Sequence, residues 1–238
     1  MATAKLLGGM LIAAAAFVSV PAAQAQTPAQ APAPAPEGPA YVVTYIEVAP
    51  AAKGDATALL QAVAAASRKE AGNERYDVLR RIGRDNQFAI LEAWSGLKAA
   101  EAHARGEALR QFKDKLRPLQ VSFYDERPSN GIAVAPTPAA VGKDAVYAIT
   151  HVDVTPPNKD ACIGLLKQFA EDTRKDRASL RFEAWQQNNR ANHFTVTQIW
   201  TDRAAVDAHV ATPATREFRD RLGPMSGALY DERLYRSL

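Results

Sequence analysis

The chain has 238 residues, 47% hydrophobic, 23% charged and 8% aromatic, which is enough apolar material for one or two packed cores and excludes global disorder. Its 29 basic and 26 acidic residues give a formal charge of +3 with no block of five or more like charges, so no nucleic-acid partner is expected. The single cysteine, Cys162, excludes an internal disulfide.

In chain order, residues 1–25 read as a secretory signal: Lys5, an uncharged apolar stretch from Leu6 to Val20, and the small-x-small site Ala23-Gln24-Ala25. The apolar run is shorter than the roughly 20 residues a membrane span needs, so cleavage and a periplasmic or secreted, membrane-free product are expected. A Pro/Ala-rich tether follows over 26–40. From residue 41, Val42, Thr44, Ile46 and Val48 alternate with Tyr41, Val43, Tyr45 and Glu47 as a half-buried strand ended by Pro50. Leu59, Leu60, Val63 and Ala66 lie at helical spacing between Lys53 and Glu70. Arg75 to Ile82 and Phe88 to Trp94 form a hairpin around Gly83-Arg84-Asp85-Asn86. Leu97 to Leu116 is helical with a break near Gly106, and Leu119 to Arg127 returns as a fourth strand.

The tetrapeptide Tyr-Asp-Glu-Arg occurs at 124–127 and again at 230–233, a shift of 106 positions. Sliding the chain by that shift without a gap matches Tyr41 to Tyr147, Phe88 to Phe194, Trp94 to Trp200, His103 to His209 and Pro118 to Pro224. About 28 of 92 aligned positions are identical, so the chain is a tandem duplication: domain 1 over 41–129, a linker over 130–145, and domain 2 over 146–238. Each copy reads as a βαββαβ ferredoxin-like unit of α+β class. Such a sheet carries helices on one face and leaves the other bare, so the copies are expected to pack sheet to sheet as an intramolecular dimeric α/β barrel, a monomer with an internal pseudo-dimer. Cys162 aligns with Ala56 and reads as a small buried helix position rather than a reactive thiol.

The opening strand ending in proline, the long helix, the hairpin closing in Glu92-Ala93-Trp94, and Ala99-x-x-x-His103 before a Phe-containing helix resemble the antibiotic biosynthesis monooxygenase (ABM) domain. The second copy repeats the pattern as Gln198-Ile199-Trp200 and Ala205-x-x-x-His209. Relatives include quinol and polyketide oxygenases, haem-degrading enzymes and members with no demonstrated reaction. The chain departs from the family pattern in Glu70-Ala71-Gly72 and Asp176-Arg177-Ala178, where members carry Glu-Pro-Gly, and in having no asparagine on the first strand of either copy.

The resemblance implies a cofactor-independent monooxygenase, with oxygen as co-substrate, acting on a small electron-rich aromatic such as a quinol; the alternative is a non-catalytic binder of a small hydrophobic ligand or haem. In the enzyme reading, His209 or His151 is the base that removes a phenolic proton and Trp200 is the packing wall. Strand alternation groups Phe194, Val196, Gln198 and Trp200 on one cavity-lining strand face and Tyr147, Ile149, His151 and Asp153 on another, with Trp185 joining them; Tyr45, the counterpart of His151, and Glu92, that of Gln198, complete the candidate substrate contacts with Trp94 and His103. The tryptophans serve equally as core anchors and the helix histidines as structural hydrogen-bonding groups. The four histidines show no metal-binding spacing, so no metal site is expected. Arg127 and Arg233 are expected to bridge to acidic partners at the barrel seam.

Overall fold

Each repeat folds in the expected order, as the computed structural model shows for residues 38–135 and 141–238. The signal-like segment, nearly all of the first tether and part of the second linker lie outside the described residues. The first repeat comprises β1 (Ala40–Glu47), α1 (Lys53–Ser67), β2 (Asn73–Arg81), β3 (Gln87–Trp94), α2 (Leu97–Ala104), α3 (Glu107–Leu116) and β4 (Asp125–Ala133). The second comprises β5 (Val146–Asp153), α4 (Lys159–Thr173), β6 (Ser179–Gln187), β7 (His193–Trp200), α5 (Arg203–Val210), α6 (Pro213–Leu222) and β8 (Asp231–Ser237).

Local chemistry sets the boundaries. Pro50 and Pro156 follow the opening strands and begin short helical turns, where a missing N–H costs nothing. Gly106 separates α2 from α3. At the matching break, Thr212 accepts from the Thr215 amide at 3.2 Å with Pro213 next in line. Asp202 caps α5 through the Ala205 amide at 2.9 Å. Gly72, between α1 and β2, has φ +81°, a backbone that glycine adopts without the penalty a side chain carries.

The eight strands close into one antiparallel barrel in the order β1-β3-β2-β8-β5-β7-β6-β4. Each repeat supplies four neighbouring strands, and the final strand of each crosses to the other repeat. Thus β4 pairs with β1 of its own sheet and with β6, while β8 pairs with β5 and with β2. The bare faces of the two sheets therefore line one shared interior, packed with Tyr41, Val43, Leu79, Tyr147, Ile149, Trp185 and Tyr235. Tyr41 and Trp185 stack across the repeats at 5.0 Å. Buried Glu183 accepts from Arg75 at 2.9 Å and Arg181 at 2.6 Å, pairing charges that burial alone would strongly disfavour. Each repeat's helices cover the outer face over a separate core, one around Leu60, Tyr76, Phe88 and Trp94, the other around Leu166, Phe169, Phe182 and Phe194.

The fourth strand corrects the sequence reading. Residues 117–119 form a short 3-10 turn, and β4 starts only at Asp125 and runs on to Ala133, into the stretch expected to be linker. The extension exists because Ser129 to Ala133 find a second partner in β6.

Candidate functional site

Alternation places side chains on the two faces of the barrel wall, and the helix-covered face carries the polar constellation. On β3, Glu92 and Trp94 point toward α2, and the Trp94 indole donates to Glu92 Oε2 at 2.9 Å. Trp94 stacks on His103 of α2 at 4.6 Å between ring centres. His103 Nδ1 lies 2.9 Å from a carboxylate oxygen of Glu70, just beyond α1, and its Nε2 lies 3.6 Å from Glu92. A carboxylate can only accept, so Glu70 holds the proton on Nδ1 and leaves Nε2 as the lone-pair nitrogen. Among the described residues, Nε2 has no hydrogen-bond partner.

Other hydroxyls buried in this layer face one another in pairs, Tyr76 with Ser67 and Tyr124 with Thr44, short of a well-formed hydrogen bond. Tyr76 lies edge-on to the His103 ring at 5.6 Å, which puts one of these pairs beside the histidine. Burial pushes the phenols of Tyr76 and Tyr124 well up, and it raises the Glu92 carboxyl to about 8 despite the opposing Trp94 hydrogen bond. Glu92 is therefore mostly protonated at neutral pH. Tyr124 also lines an open cavity of about 540 Å³ with Tyr45, Phe88, Asp125 and Arg233, and neighbouring Phe123 stands 94% exposed at its lip.

The matching layer of the second repeat is built differently. Gln198 accepts from the Trp200 indole at 2.8 Å, and Trp200 lies 4.4 Å from the His209 ring, so the pairing of β7 with α5 is preserved. Phe169 replaces Val63 and Phe182 replaces Tyr76. Phe169 stacks on Phe218 at 4.1 Å and meets Phe182 and His209 at 5.3 and 5.6 Å, filling the layer with aromatic carbon. His209 Nε2 contacts Thr215 Oγ1 at 3.3 Å, and the same hydroxyl lies 2.8 Å from the His209 carbonyl, so this ring nitrogen is already engaged within the repeat. Burial pushes His209 down to about 4. It is neutral at physiological pH, and too weakly basic there to be a strong proton acceptor.

The proposed site residues thus fall into three places. Glu92, Trp94 and His103 come together under the first repeat's helices, and Gln198, Trp200 and His209 under the second's. The sequence reading put Gln198 and Trp200 in one cavity with Trp185. That is corrected: Trp185, Tyr45 and His151 face the barrel interior, on the opposite side of the wall. The reason is that the strands are apolar on both faces, and alternation alone does not say which face the helices cover. Glu70, Tyr76 and Tyr124 were not read as site residues. Their signals were present: Glu70 retains the glutamate of the altered Glu-Pro-Gly pattern, and Tyr124 opens the repeated tetrapeptide.

The repeated tetrapeptide alternates as well. Its tyrosines and glutamates face the helices, and its aspartates and arginines face the barrel. Arg127 binds Asp125 of its own tetrapeptide at 2.6 Å, an acidic partner on its own strand, and reaches across the barrel interior to His151 on β5. Arg233 likewise holds Asp231. Cys162 is fully buried in α4, and burial raises its thiol to about 12, consistent with a packing role.

Local spacing shows no metal-type pattern, yet three metal-type side chains come together in the fold. His151, Asp153 and His193 meet near the end of β5, because Asp153 and His193 are cross-strand partners and His151 lies two residues back on the same face. Strand pairing, not local spacing, brings them together.

A closed antiparallel barrel with an aromatic–histidine layer beneath the helices of each half defines a dimeric α/β-barrel protein in which both halves belong to one chain. The chain belongs to the antibiotic biosynthesis monooxygenase family, whose model matches residues 39–115 and 145–221. It is 34% identical over 59 residues to the "putative monooxygenase YcnE" of Bacillus subtilis, covering 25% of this chain and 62% of that protein. It is 27% identical over 78 residues to the "uncharacterized protein sll1783" of Synechocystis, covering 33% and 53% respectively. The chain thus spans little more than half the length of these relatives. A solved "putative monooxygenase" from Fusobacterium nucleatum shares the fold with a TM-score of 0.76 at 14% identity, over 84% of this chain and 93% of that one.

Proposed function

We propose that this protein is an exported, cofactor-independent monooxygenase for a small electron-rich aromatic such as a quinol, and that its working pocket lies in the first repeat. The observation that carries the reading is His103: oriented through Nδ1 by Glu70, stacked on Trp94, and open at Nε2 among buried hydroxyls. An oriented imidazole with a free lone pair suits removal of a phenolic proton, and a flat aromatic wall suits the ring that loses it. The resulting anion reacts with dioxygen at a ring carbon. The hydroperoxide then loses water, leaving one oxygen atom in the product as a carbonyl. Protonated Glu92, next to the base, is placed to return a proton to the departing oxygen. Tyr124 lines the open cavity, and we take that cavity as the side from which substrate approaches this layer. The export part of the reading rests on the signal-like first 25 residues alone.

Oxygen consumption with a panel of quinols and related phenols tests the assignment. His103→Ala is expected to lower turnover about a hundredfold or more, as when a general base is lost, with substrate binding retained. His209→Ala is expected to leave the rate unchanged. A folded His103→Ala variant with undiminished oxygen uptake would remove this histidine from the mechanism. Saturable binding of a phenol or haem with no oxygen consumed would make the chain a binding module instead.

A further inference from the structure

We infer that His151, Asp153 and His193 form a binding site for a divalent first-row transition-metal ion, a site present in the second repeat only and independent of the first-repeat pocket. Asp153 Oδ1 lies 2.7 Å from His193 Nδ1 and 3.5 Å from His151 Nε2, and one ligand atom from each residue fits within 4.8 Å of the others. Two imidazoles and a carboxylate bonded at about 2.0–2.2 Å sit roughly 3.3 Å apart around a tetrahedral ion, a spacing within the range seen here. Asp153 Oδ1 is itself buried, and its 2.7 Å contact with His193 Nδ1 is the one an ion binding both groups would replace. An N₂O donor set suits zinc, cobalt or ferrous iron rather than calcium or magnesium, and three protein ligands leave coordination positions open.

The backbone holds these groups ready. Asn192, immediately before His193, donates its side-chain amide to the Val154 carbonyl at 2.7 Å, and the Val154 amide donates to the Asn192 carbonyl at 3.0 Å, which clamps the β6–β7 turn to the end of β5. The first repeat has the same clamp through Asn86 and the Val48 carbonyl. At the three ligand positions it carries Tyr45, Glu47 and Gln87, so the ligand set is not a requirement of the fold. All three side chains are 19% exposed, enough for an ion to arrive from solvent.

One cation already leans on the cluster. Arg127 donates to His151 while Asp125 grips the same guanidinium, so an incoming metal displaces Arg127 from the imidazole and leaves it on Asp125. Arg127 is thus a competitor rather than a ligand, and its removal strengthens metal binding.

The test is titration of the chelator-stripped full chain with cobalt(II), followed by calorimetry and by the visible absorption of the bound ion. One equivalent per chain is expected, displaced by zinc. His193→Gln and His151→Tyr, which install the first repeat's own residues, are each expected to weaken binding about a hundredfold or more, while Arg127→Met strengthens it about tenfold. If a ligand variant misfolds, X-ray absorption of the cobalt-loaded native chain reads the same point by counting two imidazoles. Absence of stoichiometric binding, a first shell without imidazole, or a folded His193→Gln variant of unchanged affinity would overturn the site.

Discussion

Glu92 and Gln198 occupy equivalent positions and accept equivalent indole hydrogen bonds, from Trp94 at 2.9 Å and Trp200 at 2.8 Å, yet only one of them can ionise. Burial raises the Glu92 carboxyl from an ordinary 4.5 to about 8, so the folded state binds this proton more tightly than the unfolded chain does. Its contribution to stability is complete below about pH 4.5 and declines as pH rises toward about 8. Glu92→Gln keeps the hydrogen bond and removes the ionisation. Chemical denaturation at pH 8 to 9 should find the variant more stable than the native chain by on the order of 4 kcal/mol, with the gap shrinking to below about 1 kcal/mol near pH 5. A gap independent of pH would show that burial of the ionised carboxylate is not what the native protein bears. Glu92, Trp94 and His103 were singled out through the family resemblance and the repeat alignment, and the structure brings the three together. His209, which carried the greater weight in the sequence reading, sits in a layer that Phe169, in place of Val63 and remote in sequence from the histidine, packs with aromatic carbon.

The turn between α1 and β2 shows how tightly an element boundary is specified. A Cβ on Gly72 would lie 2.6 Å from both Ala99 Cβ and Ser95 Oγ, in addition to the strain of a side chain at φ +81°. Gly72→Ala should therefore cost about 2 to 4 kcal/mol, read from the urea midpoint, and should move Glu70 relative to His103. Ala178→Gly, at the equivalent turn of the second repeat, should cost less than 1 kcal/mol, because no residue other than glycine shows positive φ there. Most elements were legible from periodicity, including the α2–α3 break at Gly106. The start and end of β4 were not, because its second half pairs with a strand of the other repeat. A strand whose partners lie in both halves has a pattern that neither sheet alone explains.

At the scale of the molecule, both seams depend on the final strand of a repeat. β8 meets β2 through Leu79–Ser237 to Arg81–Tyr235, and β4 meets β6 through Ser129–Gln187 to Ala133–Ala184. Residues 38–135 expressed alone would expose the interior face of one sheet together with both of its edges. They should dimerise through the same contacts, whereas the intact chain should run as a monomer in light scattering. A monomeric isolated repeat, or an intact chain that is an obligate dimer, would count against the shared barrel as the stabilising unit. The duplication was legible from the repeated tetrapeptide, and the closed ring from the bare sheet face that each copy needs to cover. A further consequence lies in the single covalent chain that crosses these seams. In a barrel assembled from two identical chains every mutation enters twice, so the two halves keep the same residue at every equivalent position. Fused in tandem, each position mutates alone. One half can gain histidines where the other keeps tyrosine and glutamine, and one layer can fill with phenylalanine while its twin stays polar, without either change being imposed on its counterpart.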